Sequence, residues 1–161
     1  MKSFLKALSI LSLLLLPLSP SLSAETEETL ILLKPDCVRK GLIGSVISRF
    51  EDAGFSITHA KALSLSLPLI QEHYQHLTLK PFFHEIETFM SSGNVMALIL
   101  QADNAIDRTR IIIGPTDPSK AKPGTIRGDF GDDVMRNIIH ASDSPASAQT
   151  EIQRFFPNKK A

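Results

Sequence analysis

The chain has 161 residues, with 17 basic against 17 acidic side chains and a single cysteine. One cysteine excludes an intramolecular disulfide, and with it the disulfide-stapled secreted module. The length suits one domain with a well-buried core. The even charge offers no basic surface of the kind that general nucleic-acid binding requires.

The first segment, MKSFLKALSILSLLLLPLSPSLSA, opens with Lys2 and Lys6, runs apolar from Leu8 to Leu16 and is broken by Pro17 and Pro20. That is the charged, apolar, small-residue order of a secretory signal peptide. The apolar run is short of the roughly 20 residues a spanning helix needs. Residues 1–24 are therefore predicted to be a signal peptide, with a retained N-terminal anchor as the alternative, and residues 25–161 the functional domain. Without Lys2 and Lys6, 15 basic residues face 17 acidic ones.

ETLILLK (28–34) reads as a buried strand that brings Lys34 to its C-terminal end. Pro35 and Asp36 then turn the chain. Ile43, Val46, Ile47 and Phe50 recur at helical spacing, with Gly54 as the stop. FSITHAKALSLS (55–66) reads as a second strand. Ser66 and Pro68 open a helix through Leu69, Ile70 and Tyr74. Pro81 starts a short helix that ends by Gly93. NVMALILQA (94–102) is the clearest strand, and NAIDRTRIII (104–113) a helix capped by Gly114.

Residues 115–133 hold three prolines and three glycines and are predicted as a long loop, a class that is usually functional. NIIHAS (137–142) is the last strand. Ser144 and Pro145 suit the N-cap and first position of a final helix. Strands and helices do not alternate strictly, so the prediction is an α+β fold: a ferredoxin-like sandwich whose four-stranded antiparallel sheet is covered by helices.

Neither G-x-x-x-x-G-K-[ST] nor G-x-G-x-x-G occurs, so an anion site here must be built from side chains. Lys34, Arg110 in its helix and Arg127 in the long loop are the candidates; taken singly, each also reads as a surface cation. Among the histidines, His59 reads as structural. His73 and His76 lie three apart on a helix, but with no third ligand in sequence they read as a solvated face. His84 begins HEIET, which lacks the second histidine of a zinc-protease helix. Cys37 reads as a small apolar filler rather than a nucleophile. Phe82, Phe83 and Phe89 form a helix stripe that is mostly core, with one exposed ring able to stack on a base. His140 ends an apolar strand before a small-residue turn. On spacing alone it is either a core histidine bonded to backbone or a catalyst.

Four collinear segments, LLKPDCVRKGLIGSVISRFE, EHYQHLTLKPFFHE, GPTDPSKAKPGTIRGDFG and RNIIHASDS, resemble the nucleoside diphosphate kinase family. The last matches that family's N-x-x-H-[GA]-S-D signature, and the likeness runs from about Thr29 to Pro157. The resemblance implies ping-pong transfer of a γ-phosphate through a phosphohistidine on His140, with Mg²⁺ carried by the nucleotide phosphates rather than bound by the protein. Lys34, Tyr74, Arg110, Thr116, Arg127 and Asn137 match residues that hold phosphates and ribose. Phe82 matches the base-stacking aromatic, and Ile86 its apolar neighbour. Ser142 and Glu151 match the pair that orients the histidine. Nucleoside tri- and diphosphates, broad base tolerance and a homo-oligomer, tetramer or hexamer, are implied as well.

Two features depart from the family pattern. Ala141 stands where most members have glycine, which would strain any turn needing a positive φ. The N-terminal segment predicts a secreted or periplasmic protein where most of the family is cytoplasmic. The rival functional reading is a catalytically weak, exported binding or signalling partner. A ferredoxin-like RNA-binding module is excluded by the slight negative charge of residues 25–161 and the lack of an aromatic RNA-binding strand.

Overall fold

The structure is a computed structural model in which residues 26–159 are described. The predicted signal peptide lies outside the described residues. Strand β1 (Thr26–Leu33) is followed by a short helix α1 (Pro35–Arg39) and by α2 (Ile43–Asp52). Then come β2 (Ser56–Ser64), α3 (Leu67–His73), a 3-10 turn (Gln75–Leu77) and α4 (Phe83–Met90). β3 (Asn94–Asp103), α5 (Ala105–Ile113), a second 3-10 turn (Pro118–Lys120), α6 (Ile126–Phe130), β4 (Ile139–Ala141) and α7 (Pro145–Phe155) complete the chain.

The four strands form one sheet in the order β2-β3-β1-β4, each neighbour antiparallel. This is the ferredoxin-like arrangement expected. β1 lies inside the sheet and is buried on both faces from Thr29 onward, which explains its unbroken apolar run. Alternation along the strand divides its side chains between two cores. Ile31 and Leu33 join Val46 and Phe50 of α2 and Ile113 of α5. Leu30 and Leu32 join Ile70 of α3, Met90 of α4 and Ile152 and Phe155 of α7. β2 is an edge strand, bulged between Ile57 and His59, and its outer side has no partner strand among the described residues.

The helix ends follow their local chemistry. The Ser66 hydroxyl accepts from Leu69 N at 3.4 Å, and Ser144 from Ser147 N at 3.1 Å. The predicted loop 115–133 is corrected: it contains a 3-10 turn and α6, so Arg127 sits on a helix. The cause is a cap, since the Thr125 hydroxyl accepts from Gly128 N at 3.1 Å. Among the described residues no helix is long and apolar enough to cross a membrane.

Candidate active site

β4 pairs with the C-terminal half of β1, with His140 opposite Leu32. Opposed residues share a face, so the imidazole rises on the side covered by α3, α4 and α7. There His140 Nε2 lies 3.0 Å from Glu151 Oε2 of α7. The Ser142 hydroxyl donates to the same carboxylate oxygen at 2.7 Å, and accepts from Leu30 N at 3.3 Å. The three side chains thus form one chain of hydrogen bonds anchored in the sheet. Nδ1 of His140 has no hydrogen-bond partner among the described residues.

The backbone that presents His140 is strained one turn earlier. Ile138 has φ +75°, and Ile139 N donates to Asn137 O at 2.8 Å, closing a tight γ-turn. Two bonds clamp it: Ile138 N donates to Asp36 Oδ2 at 2.9 Å, and Lys34 N donates to Ile138 O at 2.9 Å. Ala141, by contrast, sits in β4 without positive φ. The missing glycine therefore strains nothing, because the turn is made at Ile138.

Two cations enter the same cleft from below. Lys34 Nζ donates to Met135 O at 2.6 Å and to Asn137 Oδ1 at 2.7 Å. The Asn137 amide in turn donates to the carbonyls of Thr116 and Val134, each at 2.9 Å. Arg127 donates to Gly114 O at 2.9 Å and to Ile139 O at 2.8 Å, while its buried Nε has no partner among the described residues. Lys34 is 7% and Arg127 5% exposed, yet among the described residues neither makes an ion pair. Burial pulls the Lys34 ammonium down to about 8, and the Arg127 guanidinium, also repelled by Arg110, to about 10. Buried cations normally sit in contact with a carboxylate, and here carbonyl and amide oxygens take that place.

A cleft of about 1090 Å³ gathers these groups. It is lined by Lys34, Tyr74, Phe82, Ile86, Arg110, Thr116, Arg127, Asn137, His140 and Glu151, so ten of the residues matched in sequence face one space. Ser142 is fully buried beneath it. Phe82 is 44% exposed at the cleft whereas Phe83 and Phe89 are core, so the stripe splits as expected. Burial raises the Tyr74 phenol, so it stays a neutral hydroxyl.

Two residues escaped the sequence reading. His73 is not on a solvated face: it is buried, and its ring crosses that of His140 at 4.5 Å and 77°. Its spacing of three from Ile70, a core residue of the same helix, was the available signal. Asp36 is no mere turn residue, since its carboxylate holds the γ-turn. Cys37 is buried, its thiol pushed up to about 12 by burial and by Asp36, and it takes no part in the cleft.

A family model described as nucleoside diphosphate kinase matches residues 27–161. The nucleoside diphosphate kinase of Natronomonas pharaonis is 46% identical over 134 residues, covering 83% of this chain and 88% of that protein. That of Acetivibrio thermocellus is 46% identical over 131 residues, covering 81% and 96%. Among solved structures, the Aquifex aeolicus nucleoside diphosphate kinase superposes with a TM-score of 0.79 at 45% identity, covering 82% of this chain and 96% of that one. The apo enzyme from Encephalitozoon cuniculi gives 0.81 at 36% identity, covering 84% and 93%.

Proposed function

The chain belongs to the nucleoside diphosphate kinase family, and on that premise we propose that His140 Nδ1 is the atom that carries the phosphoryl group between nucleotides. The observation that supports this most is the pairing of a half-held imidazole with two buried cations in one cleft, neither of which makes an ion pair among the described residues. With Nε2–H donated to Glu151, the neutral ring keeps its lone pair on Nδ1. That lone pair attacks the γ-phosphorus. The P–N bond forms as the P–O bond breaks, and the electron pair leaves on the diphosphate oxygen. The ring becomes cationic, and the Glu151 carboxylate at Nε2 stabilises that charge without removing the proton. Return of a second nucleoside diphosphate reverses the step, which makes the cycle ping-pong.

Lys34, Arg127 and Arg110 supply the positive charge that a loose phosphoryl transition state needs. Phe82 and Ile86 offer the base a stacking face and no hydrogen-bond readers, which favours tolerance among bases. The carboxylates lining the cleft are Glu85, Asp143 and Glu151, and Glu151 is already engaged by two donors. That set fits magnesium brought in on phosphate oxygens better than a resident ion. Asp143, held below the usual carboxylate range by its bonds to Ser147 and Ser144, remains an acceptor for water around it. When bound, Mg²⁺ neutralises charge on the phosphates.

Incubating the purified chain with γ-labelled ATP and Mg²⁺ tests the reading. The expected result is an acid-labile, base-stable label that nucleoside diphosphates discharge and that His140→Ala lacks; equal labelling of that variant would refute it. The rival reading, a catalytically weak binding partner, is not favoured, because every matched residue lines the cleft or supports one that does. We also propose export through residues 1–24 and assembly of copies of the chain, the latter in keeping with the open edge of β2. Cell fractionation and sedimentation of the isolated chain check the two.

A further inference from the structure

We infer that His73, His140 and Glu151 form a binding site for a divalent transition cation of the zinc class, separate from the magnesium carried by the nucleotide, whose occupation blocks phosphoryl transfer. One ring nitrogen from each histidine and one oxygen of Glu151 all lie within 4.8 Å of one another. The His140 Nε2 to Glu151 Oε2 edge is 3.0 Å. A tetrahedral zinc ion, with bonds of about 2.0–2.2 Å, sets its ligands about 3.3 Å apart, so modest side-chain rotation closes the site. Two imidazoles and one carboxylate are the donor set of open zinc centres, and leave a fourth position for water or a phosphate oxygen. Magnesium, which prefers oxygen throughout, has no claim on it.

A second observation points to a ligand independently. His73 is 5% exposed, and its buried Nε2 has no hydrogen-bond partner among the described residues. Its Nδ1 meets Arg154 Nη1 only at 3.5 Å, while that guanidinium is committed to Glu72 at 2.8 Å. Against the site stand the positive charges of Arg154, Lys34 and Arg127, and the single carboxylate. The affinity to expect is therefore micromolar rather than that of a structural zinc.

The inhibitory effect rests on the mechanism proposed above. A neutral imidazole carries one proton. When a metal occupies Nε2 of His140, that proton moves to Nδ1, and the Nε2–H···Glu151 hydrogen bond gives way to two metal–ligand bonds. The nitrogen that attacks phosphorus then has no lone pair. The metal acts as a tautomer lock, reversible by chelation.

The test begins without nucleotide. Chelator-treated full chain is titrated with ZnCl₂ by calorimetry and with CoCl₂ by visible absorption. The expected result is one micromolar site with the intense cobalt bands of a four-coordinate ion. His73→Gln and Glu151→Gln are each expected to weaken binding at least about tenfold, and melting curves identify any variant that fails to fold. Zinc should then abolish phosphohistidine formation from MgATP, and EDTA restore it. No zinc binding, or binding undiminished in both variants, would overturn the site. Zinc bound through these residues with labelling unaffected would overturn the lock. Zinc binding as expected in a chain that never labels in zinc-free buffer would keep the site and sink the kinase reading.

Discussion

Lys34 is a buried ammonium whose hydrogen bonds go to a carbonyl and an amide oxygen. Burial is the largest cause of its descent from 10.5 to about 8; Asp36 opposes it and Arg127 adds to it. The unfolded chain therefore holds more protons than the folded one between pH 8 and 10.5, and the contribution of Lys34 to stability rises with pH through that window. The phosphate-holding role proposed for Lys34 predicts the opposite trend in rate. The free enzyme loses this charge as pH rises through about 8, so kcat/KM for the nucleotide should fall on that limb. Bound phosphate favours the ammonium, so kcat should hold to higher pH. Rate profiles between about pH 6.5 and 9.5 check this, and Lys34→Arg, ionised throughout, should remove the limb while lowering the plateau. Ile138 shows the opposite use of a residue. A β-branched side chain at φ +75° is costly, and the bond it donates to Asp36 and the one it accepts from the Lys34 backbone help hold it there.

Among elements, the α5–α6 connection matters most to the site, because both helices carry an arginine of the cleft. Gly114 ends α5 at φ 79°, ψ 177°, a region that essentially only glycine adopts, and its carbonyl accepts from Arg127. A Cβ there would stand 2.8 Å from Thr125 Oγ1, the cap of α6. Gly114→Ala should thus cost about 1–3 kcal/mol of stability. It should also weaken nucleotide binding through Arg127, where Ala substitution at open Gly44 should do neither. Urea unfolding and nucleotide titration of the two variants measure the contrast.

The helices with caps, such as those opened by Ser66 and Ser144, were legible in the sequence because a cap is local chemistry. Five-residue helices such as α1 and α6 were not, even though Thr125 caps α6, since a cap with fewer than two turns behind it has no period to confirm it. The convergence of Lys34, Arg127 and His140 depends on the β1–β4 register and on carbonyls more than 100 residues from Lys34. No spacing encodes that; only the likeness to a family carried it. His73 pairs in sequence with His76 as readily as with Ile70, and only the burial of Ile70 marks its face as core.

At the scale of the molecule, the sheet separates two cores, and the His140 ring is stacked on the second of them through His73. His73 touches Tyr74 at 4.6 Å, His140 at 4.5 Å and Phe155 at 5.1 Å, so a residue able to titrate is part of the packing that holds α3 and α7 together. Burial depresses its imidazolium most, and His140, Arg154 and His76 add repulsion. In the unfolded chain His73 recovers its ordinary value of 6.5. Below that pH the unfolded state binds a proton that the folded state refuses, so folding stability must fall as pH falls. The slope from one such group approaches about 1.4 kcal/mol per pH unit. Urea unfolding from about pH 7 to 5, above the range where carboxylates take over, should show this decline. His73→Gln, which removes the titration but keeps a polar side chain of similar reach, should flatten it. An unchanged slope in that variant would mean that His73 opens to solvent before the fold yields, and that the second core is looser around the active site than its packing implies.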